Sequence, residues 1–272
     1  MATRPGRHEI TRRRIVYEVD GMRDVPVRRG LTYRNAADGA LTMDVYYPPN
    51  AAEGARTPAV LFVNGYRDPG ARAVIGCALK EMESFVSWGQ LLAASGLAAV
   101  VYETGNDPAA DAQSMIGYLQ TNAGALGLDG RRVGLWACSG HGPNALSLLM
   151  PSVDLGVITC GVFCYSFMLD LDGSAVVADA ARAFGFAPPV SRTLEDLRRD
   201  VPLFIVRAGR DEFAGLNDAL DRFVGRALGL NLPVTVVNHA TAPHAFDLVD
   251  DSEESRRVIR DVLAFLRVRL SA

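Results

Sequence analysis

The feature that most constrains this chain is a rhythm of short apolar runs, at residues 60–63, 97–102, 133–138, 157–163, 203–206 and 234–237. Most are apolar at consecutive positions. A strand with one wet face alternates apolar and polar residues, whereas a strand covered on both faces does not. The runs therefore read as strands of a mostly parallel sheet held between helix layers. Segments of helical period lie between and after them, at 82–94, 109–126, 216–228 and 252–270. Gly96, Gly127 and Gly229 stand near the ends of the first three, where glycine stops a helix. The last opens on Asp250, Asp251, Glu253 and Glu254, which complement a helix N-terminal dipole. Ile259, Val262, Leu263, Leu266 and Leu270 then form one apolar face.

Two stretches depart from this alternation. Runs at 15–19, 25–33 and 41–47 predict strands joined by short turns, an antiparallel meander leading into the parallel sheet. Residues 167–199 separate two strands by more than an ordinary connection needs and carry Met168, Leu169, Leu171, Phe184 and Phe186. A small lid over a pocket is expected there. No repeat or low-complexity linker divides the 272 residues, so one domain spanning 1–272, with 167–199 as a lid insertion, is expected.

The formal net charge of −3 gives no general pull toward nucleic acid or an anionic membrane. Lys80 is the only lysine, and the arginine excess reads as coding bias, with Arg12–Arg14 as solvated surface. The first fourteen residues carry no apolar signal-peptide core. No apolar run approaches the ~18 residues of a membrane helix. Cys77, Cys138, Cys160 and Cys164 show no paired C-x-x-C spacing. A soluble cytoplasmic protein with reduced cysteines follows, binding neither nucleic acid nor membrane. Its oligomeric state, monomer or homo-oligomer, is left open.

The most informative local sequence is VGLWACSGHGPNAL, residues 133–146. An apolar strand runs straight into Ser139, and a helix-compatible segment begins at once. Such a turn lifts a hydroxyl out of the sheet and aims helix N-terminal N–H groups at a developing anion. Ala137, Gly140 and Gly142 supply room for the close crossing. Here the chain resembles the α/β-hydrolase superfamily, in its dienelactone-hydrolase-like and carboxylesterase-like branch. Its G-x-S-x-G elbow is matched with two departures: Ala137 replaces the first glycine and His141 the second. Dienelactone hydrolases use a cysteine at the elbow, which makes Cys138 a rival nucleophile. Trp136 would then stand two residues before it, where space is short, so Ser139 is favoured.

A serine hydroxyl needs a base held in turn by an acid. The resemblance implies the order serine, acid, histidine. PLFIVRAGRDEF, residues 202–213, places Asp211 just past a strand, where the family carries its acid; Glu212 is the local competitor. Pro243-His244-Ala245-Phe246 resembles the family's histidine loop. His239 reads as a core or edge residue and His8 as exposed. His141 is too near Ser139 in the chain to act as its base. The oxyanion hole implied by the resemblance takes one amide from Gly140. The other comes from Tyr66 in Asn64-Gly65-Tyr66-Arg67-Asp68, which resembles the family's His-Gly-X loop with Asn64 in place of histidine. LTMDVYYPP (41–49) and SWGQLLAASGLAAVVYE (87–103) also resemble esterases of this fold, so the likeness spans roughly residues 40–270.

The expected architecture is an α/β-hydrolase fold, with antiparallel N-terminal strands and helices on both faces of the sheet. The expected activity is cleavage of carboxylic esters with small to medium acyl groups through an acyl-enzyme. No cofactor or metal is called for. Lactone hydrolysis, a peptidase or acyltransferase on the same residues, and a catalytically silent binding module remain as alternatives.

Overall fold

The computed structural model describes residues 7–36, 39–49, 56–150, 156–189 and 193–271. Among these, the strands are β1 (Val27–Ala36), β2 (Gly39–Tyr46), β3 (Thr57–Phe62), β4 (Ala98–Tyr102), β5 (Leu128–Cys138), β6 (Ile158–Cys164), β7 (Leu203–Ala208) and β8 (Val234–His239). They form a single eight-stranded sheet in the order β1-β2-β4-β3-β5-β6-β7-β8. β2 pairs antiparallel with β1 and β4, and every later pair is parallel. The helices are α1 (Asp68–Ile75), α2 (Glu83–Ala94), α3 (Pro108–Leu126), α4 (Gly142–Ser147), α5 (Val176–Phe184), α6 (Leu216–Gly229), α7 (Phe246–Val249) and α8 (Glu253–Ser271).

The consecutive apolar runs are explained by two dry faces. In β3, Ala59 and Leu61 join a core with Met115 and Leu119 of α3 and Phe223 of α6. Val60 and Phe62, pointing the other way, join a second core with Trp88 and Leu91 of α2 and Ile259 and Leu266 of α8. Both layers are buried, so a polar residue in either would lose water without a partner. β8 closes the edge of the sheet, and Val236 there is exposed.

Residues 15–19 do not form the predicted strand. Their backbone is spoken for elsewhere: the Ile15 N–H donates to Ser87 Oγ and the Val16 N–H to the Asp247 carbonyl. Ile15 is buried against the α2–α8 core. Arg14 is not simply solvated either, since it reaches Glu83 and Gln90 of α2. In the 167–199 stretch, α5 and Phe186 build a small cluster with Phe167, Leu216 and Ala219. Residues 190–192 of it lie outside the described residues.

Candidate active site

Parallel strands bring their carboxyl ends to one edge of the sheet, and the loops there face a common cleft. Ser139 follows β5 directly. Its φ of 49° is left-handed, a conformation that costs a non-glycine residue roughly 1–2 kcal/mol. Three hydrogen bonds hold it there. The Ser139 N–H donates to the Tyr165 carbonyl at 3.1 Å, and the Phe167 N–H (3.1 Å) and Ser166 hydroxyl (3.0 Å) donate to the Ser139 carbonyl. Gly142 is needed in this turn, because a Cβ there would overlap the Ser166 side chain and stand 2.5 Å from the Phe167 carbonyl oxygen.

Asp211 and His244 come to the same place from the loops after β7 and β8. His244 Nε2 lies 3.0 Å from Ser139 Oγ, and its Nδ1 lies 2.6 Å from Asp211 Oδ2. The Asp211 side chain is fully buried, and its other oxygen accepts the Phe213 N–H at 3.0 Å. The two loops are tied together by Gly209 N–H to the His239 carbonyl and Arg210 N–H to the Ala242 carbonyl, each 2.8 Å. A side chain at Gly209 would overlap the Ala240 backbone. The imidazole of His244 is flanked by the rings of Tyr165 and Phe213, at 4.8 and 4.4 Å between centroids.

The departure at His141 closes the elbow in another way. Its ring turns toward the loop after β3, and Nδ1 accepts the Gly65 N–H at 3.0 Å. It packs edge-on against Tyr66 and Phe85. Burial pushes its pKa down to about 4, so it stays neutral and keeps that acceptor. Gly65 sits so close that a Cβ there would stand 2.6 Å from the Gly140 carbonyl oxygen.

Asn64 organises the rest of this loop. Its Nδ2 donates to Asp68 and Thr104, its N–H to the Tyr102 hydroxyl, and its carbonyl accepts from Asn144. Its Oδ1 accepts the Tyr66 N–H at 3.0 Å. The amide that the resemblance assigned to an oxyanion hole is thus engaged within its own loop. A short carboxamide closes a local turn onto the amide two residues on, taking the donor for itself. The Gly140 amide lies in the first turn after β5, next to Ser139, where N–H groups lack intrahelical partners. Asp68 does not pair with Arg67. It is buried and accepts the Leu79 and Thr104 N–H groups at 2.7 Å each, and burial pushes its pKa up to about 6.

The remaining candidates fall outside this chain of contacts. Desolvation and the Asp247 carboxylate push the Cys138 thiol well up, which disfavours the thiolate. His239 is buried at the end of β8 with Nε2 2.9 Å from Ser255 Oγ. His8 and Glu212 are exposed. Sequence reasoning missed Asp247, whose carboxylate accepts Trp88 Nε1–H (2.6 Å) and the Tyr165 hydroxyl (2.7 Å), the same tyrosine that flanks His244. Its only signal was an acid inside the apolar stretch Ala245–Val249, too weak to single out. Among the described residues, no group of three or more His, Cys, Asp or Glu side chains is arranged to hold a metal, and no helix is long and apolar enough to cross a membrane.

Beside Tyr66 a cavity of about 330 Å³ runs between α1 and the end of α5, lined by Ala71, Val74, Ile75, Leu79 and Phe184. The Phe184 ring meets Phe213, which meets His244, so apolar surface leads from the imidazole toward this groove.

No family model and no curated protein matches the sequence. Solved structures match closely in shape. A bacterial heroin esterase aligns with a TM-score of 0.67 at 16% identity, over 90% of this chain and 84% of its own. A thermophilic esterase of Thermogutta terrifontis gives 0.67 at 17%, over 90% and 92%. The Pyrobaculum calidifontis esterase gives 0.65 at 19%, over 91% and 88%. An alpha/beta hydrolase enzyme from a deep-sea metagenome library gives 0.65 at 17%, over 91% and 99%. With this strand order and helices on both faces, the chain has the α/β-hydrolase fold.

Proposed function

We propose that this chain is a serine hydrolase cleaving carboxylic esters of small to medium acyl groups through an acyl-enzyme. The observation that carries the reading is the unbroken line Ser139 Oγ, His244 Nε2, His244 Nδ1, Asp211 Oδ2, with separations of 3.0 and 2.6 Å. Ser139 attacks the ester carbonyl while His244 takes its proton. Asp211 accepts from Nδ1, fixing the tautomer that leaves Nε2 free to act as base and stabilising the imidazolium. The Gly140 amide donates to the oxygen that becomes negative. His244 then protonates the leaving alcohol. A water, deprotonated by the same imidazole, releases the acid and restores Ser139.

The whole chain acts as one α/β-hydrolase domain, with 167–199 as a short cap over one end of the groove. The groove beside Tyr66, about 330 Å³ and largely apolar, suits a modest acyl chain better than a long one. The Thermogutta esterase, solved with butyrate and with propionate bound, supports the same size range. The raised Cys138 thiol disfavours the cysteine variant of the mechanism. A fluorophosphonate probe followed by peptide mapping tests the reading. Label on the Ser139 peptide, and a fall of about three orders of magnitude or more in kcat for p-nitrophenyl butyrate in Ser139→Ala with the fold intact, are expected. An unlabelled protein, or label on Cys138, overturns it.

A further inference from the structure

The elbow needs a second donor for the developing oxyanion, and the amide expected to supply it is committed to Asn64 Oδ1 at 3.0 Å. The same residue offers another donor. Tyr66 turns its ring back across the elbow, wedged between His141 (5.0 Å between centroids) and Phe186 (5.8 Å). Its hydroxyl stands over the Cα of Gly140, so that a Cβ at residue 140 would overlap it. The Gly140 nitrogen is bonded to that same Cα, which puts the hydroxyl and the amide on neighbouring parts of the elbow. The Ser139 side chain acts to lower the Tyr66 phenol's pKa, against the larger upward effect of burial. The ring is also fixed from its backbone. The Tyr66 carbonyl accepts from Thr104 Oγ1, Tyr66 bridges antiparallel to Phe186, and Ala187 N–H donates to the Gly65 carbonyl at 2.7 Å.

We infer that the Tyr66 hydroxyl, not the Tyr66 amide, is the second oxyanion-hole donor, working with the Gly140 N–H on the tetrahedral intermediate of the proposed ester hydrolysis. The inference rests on the serine-hydrolase reading above. As Ser139 Oγ bonds to the carbonyl carbon, its proton passes to His244 Nε2 and the carbonyl π pair moves onto oxygen. That oxygen accepts from Gly140 N–H and Tyr66 Oη–H. The tyrosine keeps its proton throughout. On collapse the pair returns to reform the carbonyl, the carbon–oxygen bond to the leaving group breaks, and the departing alkoxide takes the proton from His244. Burial raises the Tyr66 phenol above its ordinary value, which keeps it a neutral donor at working pH. A donor held by packing costs little reorganisation when the charge appears. The absence of a side chain at residue 140 then has a use: it lets the phenol reach the space in front of the amide.

Tyr66→Phe keeps the ring against His141 and Phe186 and removes only the hydroxyl. Losing one such donor lowers kcat by about 10²–10³-fold. KM for p-nitrophenyl butyrate is expected within a few-fold of wild type. The inhibition constant of a trifluoromethyl ketone, which forms a hemiketal oxyanion on the serine, is expected to rise in step with the loss in kcat/KM. A purely structural role would lower thermal stability and weaken substrate and ketone binding alike. Site-specific 3-fluorotyrosine at residue 66 supplies a reading even if Tyr66→Phe folds poorly: its more acidic phenol is expected to tighten the ketone. A Tyr66→Phe kcat within three-fold of wild type, substrate and ketone weakened alike, or ketone affinity indifferent to the fluorine, overturns the assignment. If wild type neither hydrolyses the ester nor takes fluorophosphonate on Ser139, the failure is that of the serine-hydrolase reading itself.

Discussion

Gly65→Ala is the sharpest test of how the site is assembled, because the structure gives the size of the insult. Gly65 does not use a left-handed backbone, so alanine is excluded there by contact alone. Its Cβ would stand 2.6 Å from the Gly140 carbonyl oxygen and 3.0 Å from the His141 Cα. Both are backbone atoms and neither can rotate aside. Restoring even a 3.0 Å contact to the oxygen moves the loop or the elbow by at least 0.4 Å. That motion stretches the Gly65 N–H to His141 Nδ1 bond, now 3.0 Å, beyond good hydrogen-bond geometry. Overpacking of this kind costs about 1–3 kcal/mol of stability. A misplacement approaching 1 Å at a reacting centre costs about 100-fold in rate, so a fall of roughly 10–100-fold in kcat is expected. Steady-state hydrolysis of p-nitrophenyl butyrate measures the rate and urea unfolding the stability. A variant with wild-type kcat and an unchanged midpoint would refute the claim that the loop and the elbow are in rigid contact.

Two further outcomes follow from the same geometry. Asp211→Asn is expected to lower kcat by about 10⁴-fold with the fold retained, because a carboxamide no longer fixes the tautomer of His244; kinetics beside a circular dichroism spectrum check this, and a loss under ten-fold sinks it. His141 couples stability to pH. Its native pKa lies near 4, below the 6.5 of the free side chain, so the unfolded chain takes up the proton first as pH falls. That contribution is complete above 6.5 and is lost toward 4. Relative to His141→Phe, the wild type is expected to lose about 2 kcal/mol between pH 7 and 5, read from urea midpoints. Asp68 titrates with the opposite sign over an overlapping window but is present in both proteins, so it cancels in the difference.

The sheet was readable because burial on two faces leaves consecutive apolar residues, a pattern that survives without knowledge of neighbours. Runs 60–63 and 133–138 fall almost wholly in β3 and β5 for that reason. Residues 15–19 carry a similar pattern and are not a strand. Local apolarity reports burial, and the amides of Ile15 and Val16 are satisfied by Ser87 and Asp247, residues distant in the chain. Ser139, Asp211 and His244 stand one, three and five residues past the ends of β5, β7 and β8, and a parallel sheet delivers such positions to one edge, which is why the sequence could point to them together. The commitment of the Tyr66 amide was not. It depends on whether a side chain two residues back closes a turn, which a loop of five residues does not reveal until its geometry is fixed.

Two of the three departures from the family's pattern meet in space, through the Gly65 N–H that His141 accepts, and that contact explains how the chain carries both. Asn64 stands where the family places a histidine in the loop, and His141 stands where it places a glycine in the elbow. In this fold the imidazole is supplied from the elbow side and accepts the Gly65 N–H. The carboxamide, on the loop side, takes the Tyr66 N–H and gives its own donors to Asp68 and Thr104. Loop and elbow are joined by a hydrogen bond across the gap rather than by glycine packing alone. The inferred second donor, the Tyr66 hydroxyl, belongs to the residue that touches both substituted positions, its ring packed against His141 and its N–H held by Asn64.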